Sequence, residues 1–291
     1  MHKIKFLFLA VIVAVSTSAC SQNNKTVLLK WKLDPKEVIT YKTIMVGVDT
    51  ADKKLDMSGL TKAMGLGDAV NWDDLQKMLK KLNANLQPGN MVATLAEKRK
   101  GIIDIELITK NDDKQDTASS TLSEAEKMFK QMSTGVQLRG TIHEDGTIKS
   151  FYLKSEQKNI IALLFELPGK SIKQGDSWPL SVNLLTADQN FKCDSSYRKN
   201  LVTAVKIENI NGEQIFTLKY DIVEYIKGDF TIPSPMGAQT PVKTVMSMSY
   251  QGIAKFSVDK GRWVAYDGLL SYNSSGVMTA NTKMKYSLVE E

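Results

Sequence analysis

The sequence predicts an α+β protein that is mainly antiparallel β: a curved antiparallel sheet, half-barrel-like, with two or three helices packed on its concave side. Three observations predict it. Alternating apolar and polar runs recur along the chain, separated by Gly, Asn and Asp turns. Three stretches break that rhythm with helical spacing or a compact apolar run, at 71–86, 121–132 and 159–167. Beyond Pro179 the chain reads as strand after strand, the pattern of an antiparallel meander.

The stretch 138–178 organises the rest. Asp145-Gly146 lies between two alternating runs, a hairpin signal because Gly reaches positive φ without steric cost. The run 159–167 is apolar, lacks Gly and stops at Pro168-Gly169, which predicts one buried helix. Gly175-Asp176 is a turn that launches a new strand, with Trp178 as its structural anchor.

In chain order, residues 26–33 alternate Val27, Leu29, Trp31 and Leu33 against Lys30 and Lys32, a half-buried strand. Asp34-Pro35-Lys36 is a turn, and 38–48 a second strand. Asn71 caps a helix whose first turn holds Asp73 and Asp74, where the dipole favours them. Its stripe is Trp72, Leu75, Met78, Leu79, Leu82 and Leu86. Segments 91–97 and 102–108 pair across a basic turn. Thr121-Leu122-Ser123-Glu124 is a capping box opening a second amphipathic helix. The closing strands are expected at 180–185, 197–207, 214–225, 242–250, 252–258, 262–273 and 276–289. The turn at 140–148 has an echo at 252–264, which reads either as a duplicated unit walling a cleft or as two ordinary hairpins.

The first residues carry an address. Lys3 and Lys5 precede an apolar run, 6–15, and small residues lead to Ala19-Cys20. The run is shorter than the roughly 20 residues a spanning helix needs. Cysteine after a small residue resembles the lipobox of bacterial lipoproteins, with Thr17 where Leu is common. That resemblance implies a signal peptide over 1–19, lipidation of Cys20, and a polar tether completing 20–26. A single β-rich domain over 27–291 would then be held to a membrane by its N-terminal lipid. The tether lacks the acidic cluster that goes with surface export in lipoproteins of the Bacteroidetes type, so the resemblance implies the outer membrane and its periplasmic face.

Charge excludes one class of partner. The chain holds 38 Lys and Arg against 32 Asp and Glu, and the two signs are interleaved, so nothing reads as a nucleic-acid patch. With Cys20 lipidated, Cys193 is the one remaining thiol; no internal disulfide forms, and Cys193 is expected buried or partly buried.

The lipoprotein signal, the hairpin with its Asp145-Gly146 turn, the helix running to Leu167-Pro168 and the Gly175-Asp176-Ser177-Trp178 turn are together similar to a group of uncharacterised Bacteroidetes lipoproteins that share a domain of unknown function. Asp34-Pro35-Lys36 departs from the Gly those proteins carry before the second strand. The resemblance implies location and fold type, and no catalytic residues.

Chemistry-bearing motifs are few. His143 with Glu144 and Asp145 sits at a hairpin turn, where adjacent side chains point to opposite faces, so it reads as a solvated turn and not a metal site. No zinc spacing, phosphate-cradling loop or nucleophile elbow occurs, and no cofactor is expected. Asp49-Thr50-Ala51 and Asp116-Thr117-Ala118 match a short Bacteroidetes O-glycosylation sequon, making Thr50 and Thr117 candidates. Thirteen Met, among them Met246 and Met248 alternating in a strand, suit either an adaptable hydrophobic pocket or core filling. Residues 231–241 hold three prolines, so they form a loop, with Ile232, Pro233, Pro235 and Met236 as candidate ligand or partner contacts. The expected function is a non-enzymatic envelope lipoprotein that binds a hydrophobic ligand or an envelope partner. The alternatives are a structural or assembly module of the envelope without a pocket, and a carboxylate-based hydrolase.

Overall fold

The computed structural model describes residues 26–48, 54–56, 91–109, 135–152, 155–185, 190–231 and 241–291. Its strands are β1 (Val27–Leu28), β2 (Val38–Val48), β3 (Lys54–Asp56), β4 (Met91–Arg99), β5 (Ile102–Thr109), β6 (Gly135–His143) and β7 (Ile148–Phe151). Helix α1 (Ser155–Phe165) follows, then β8 (Ser171–Ile172), β9 (Ser177–Trp178), β10 (Phe191–Ile210), β11 (Glu213–Thr231), β12 (Pro241–Ser257), β13 (Arg262–Ser275) and β14 (Thr279–Glu290).

Twelve strands form one antiparallel sheet in the order β7-β6-β5-β4-β2-β14-β13-β12-β11-β10-β9, with β3 also pairing β14. β1 and β8 form a small separate ladder. Mostly antiparallel β is therefore right, and the half-barrel carrying two or three helices is not. The sheet is open, running from β7 at one end to β9 at the other, and α1 is the one helix among the described residues. The segments read as amphipathic helices, 71–86 and 121–132, lie outside those residues. The long pairings explain the difference: β10 to β12 run 17 to 20 residues each and lie side by side as one broad surface.

Local chemistry sets the turns. Gly146, at φ 80°, allows the β6–β7 hairpin, and a Cβ there would collide with Leu167. Asn211 and Gly212, both at positive φ, make the two-residue β10–β11 turn.

One face of the sheet is filled by aromatic side chains beneath α1. Trp31, Phe256 and Trp263 meet edge-on, with centroids 5.0–5.9 Å apart. The last carbonyls of a helix lack internal donors, and here core aromatics supply them. Trp31 Nε1 donates to Phe165 O at 3.0 Å, Trp263 Nε1 to Leu164 O at 2.8 Å, and the Tyr266 hydroxyl to Leu163 O. With its proton so used, Tyr266 accepts from the Tyr250 hydroxyl at 2.6 Å. Gly268 makes room for this arrangement, because a Cβ there would strike the Tyr250 ring.

The two echoing hairpin turns do not wall an empty cleft. Trp31 N–H donates to Glu144 O and Lys32 N–H to Gly261 O, so the N-terminal segment threads between them and Trp31 fills the space. Of the strand expected over 26–33, residues 29–33 are therefore not strand; only Val27 and Leu28 pair, with β8. Residues 180–185 are likewise not a strand.

Candidate functional site

On the face opposite α1, strand alternation aims the odd-numbered residues of β11, β12 and β13 outward around Tyr220, Gly252 and Gly268, away from the bulge at Lys255/Phe256. Register places Lys219, Ile253 and Asp267 in one row, and Asp221, Gln251, Leu269 and Lys285 in the next. Between the rows run Tyr220, Gly252, Gly268 and Tyr286, directed to the filled face. Two glycines opposed on adjacent strands let β12 and β13 come close: a Cβ on Gly252 would meet Asp267 O at 2.8 Å. Above them lies a depression of about 510 Å³, with Val48, Ile253 and Leu269 as its apolar lining.

Its charges are set by neighbours. Ser287 Oγ donates to Asp267 Oδ1 at 2.6 Å and Lys285 Nζ lies 3.1 Å away, and together they hold the Asp267 carboxyl below the usual range. The Lys199 ammonium bonds Asp221, which pushes the Lys199 pKa up. Lys219 makes no ion pair among the described residues. Ile253 is 47% exposed, a large apolar side chain inside a rim of both charge signs. The acids are engaged by cations, so the arrangement suits contact with an amphiphilic surface better than proton transfer.

The residues singled out from the sequence fall elsewhere. Trp178 is 5% exposed, on β9, paired with Val202. Cys20, Thr50, Thr117, Ile232, Pro233, Pro235 and Met236 lie outside the described residues. Met246 and Met248 alternate on the same face as α1, half-buried. His143 ends β6, its N–H donating to Thr147 O within the hairpin. Among the described residues no group of His, Cys, Asp and Glu converges to hold a metal. Cys193 corrects an expectation: it is exposed, because it sits on a free edge strand beside a bulge. The depression was invisible in the sequence. Its residues come from five strands, and on each of them they follow the ordinary alternation of a half-buried strand. The one trace was Gly in the middle of two long strands, at 252 and 268.

Comparison with known proteins gives no relative: no family model matches the chain, and no curated protein or solved structure matches it.

Proposed function

We propose that this chain is a non-enzymatic envelope lipoprotein, held by lipid on Cys20 at the periplasmic face of the outer membrane, that docks an envelope protein on the outer face of its sheet. The observation that carries the docking half is the depression over Gly252 and Gly268, with exposed Ile253 inside a rim of Lys219, Asp221, Asp267 and Lys285. Its lining comes from one face of one sheet, so it has a floor and no roof. A small hydrophobic ligand needs most of its surface buried, and a floor alone leaves it wet. A protein partner brings the roof with it. The anchor half rests on the lipobox-like run ending at Ala19-Cys20.

The anchor is tested by fractionation. Cys20→Ser is expected to leave the membrane fraction, and the parent to carry the mass of acyl chains on its N-terminal residue. Cys20→Ser staying with the membrane overturns that half. The docking half is tested separately, at Ile253.

A further inference from the structure

β10 is an edge strand for most of its 20 residues. β11 covers one side throughout, while β9 covers the other only at Val202 and Thr203. Residues 192–198 are all exposed. The direction of the free backbone groups follows from Ala204, whose N–H and C=O turn away from β11 to bond Asp176 O and Gly175 N–H. No bulge intervenes between Ala204 and Ser195, so Arg198 and Ser196 share that outward direction. Neither has a backbone partner on that side among the described residues. Edges are ordinarily blunted by bulges, covering segments and charge. Here the bulge lies at Cys193/Ser195 and the backbone cover begins at Val202, which among the described residues leaves the backbone of 195–199 unpaired on that side, with Leu180 and Val182 held only by the side chains of Asn200 and Arg198. The Arg198 guanidinium turns back to Val182 O and Glu224, away from the edge.

We propose that this window is a self-pairing site: a second copy adds its own β10 antiparallel, across a two-fold axis at Tyr197. The register is consistent in every respect the window defines. Ser196 and Arg198 both present outward N–H and C=O, and the axis sets each opposite the other, giving four backbone hydrogen bonds. Tyr197 then faces its own copy in a non-hydrogen-bonded pair, where side chains lie closest and aromatic pairs are favoured. Lys199 falls opposite Ser195, and Arg198 opposite Ser196, so no like charges are opposed. A two-fold interface must be self-complementary, and this one is.

The test uses the full-length chain in intact envelopes. Tyr197→Cys in a Cys193→Ser parent places two thiols about 4.5 Å apart at Cα, within disulfide reach. Oxidation with copper–phenanthroline is expected to give a species of twice the monomer mass. The parent alone, which keeps Cys20, sets the background, and Val264→Cys in that parent, also exposed, is the control. Adding Ser196→Pro to the Tyr197→Cys protein removes only an outward donor, which an edge tolerates, and is expected to abolish the crosslink while the melting temperature holds. No dimer above background, equal crosslinking at Val264, a crosslink to a different protein, or a crosslink that survives Ser196→Pro overturns the proposal.

Discussion

Trp178 is 5% exposed, and its Nε1 meets no acceptor among the described residues. Truncation to Ala removes a large buried ring, so Trp178→Ala is expected to cost about 3–5 kcal/mol in chemical denaturation. Trp178→Phe is expected to cost clearly less, because it also removes an unsatisfied donor. Equal losses would mean the indole N–H has a partner. The buried tyrosines set a pH dependence. Burial first, then neighbouring phenols or carboxylates, pushes Tyr220, Tyr250, Tyr266 and Tyr41 well above their ordinary values. A raised folded pKa means the unfolded chain loses its proton first, so stability is full below about pH 10 and falls as pH rises beyond it. Each such phenol contributes a slope of about 1.4 kcal/mol per pH unit in that range. Denaturation midpoints against pH are expected to fall steeply above pH 10, and less steeply in Tyr250→Phe. Glu37 works in the opposite sense. The Asp34 N–H, and then Arg262, lower its pKa, so its contribution is present at neutral pH and lost as pH falls through the acidic range.

At the scale of elements, hairpins were legible and two strands were misread for one physical reason. Asp145-Gly146 and Asn211-Gly212 announced their turns because positive φ restricts residue choice. Alternation is less specific, since it reports which side chains are buried and not where the backbone bonds. In 29–33, Leu29 and Trp31 are buried while Lys30 and Lys32 are exposed, yet the N–H groups of Trp31 and Lys32 bond the carbonyls of two hairpin turns. In 180–185 side chains replace the ladder. Asn200, Glu166, Asn159 and Glu224 accept from the N–H groups of Leu180, Ser181, Asn183 and Leu185. Helix α1 was legible from its apolar run and the Pro168-Gly169 stop; its capping by indoles and a phenol was not, because the donors lie 99 to 134 residues away. Trp263→Phe keeps most of the ring and leaves Leu164 O buried without its donor. It is expected to cost about 1–3 kcal/mol, read as a drop in melting temperature. No change would show that another donor reaches Leu164 O.

Across the whole molecule, the order of strands builds the face that carries the depression. β2 lies between β4 and β14, so strands from the two ends of the described chain are neighbours, and Arg262 ties them by pairing with Glu37 at 2.7 Å and Glu290 at 3.1 Å. Nothing in a local pattern announces that neighbourhood. It decides that Val48 borders the depression. With α1 and the aromatics filling one face, the opposite face carries the depression over Gly252 and Gly268. The most direct test is site-specific photocrosslinking from Ile253 in intact envelopes, with Ile210, exposed on the β10–β11 hairpin, as control. One discrete protein adduct is expected from Ile253, none from Ile210, and the adduct is lost when Cys20→Ser frees the chain from the membrane. No adduct from Ile253, or the same products from Ile210, would contradict the proposed docking.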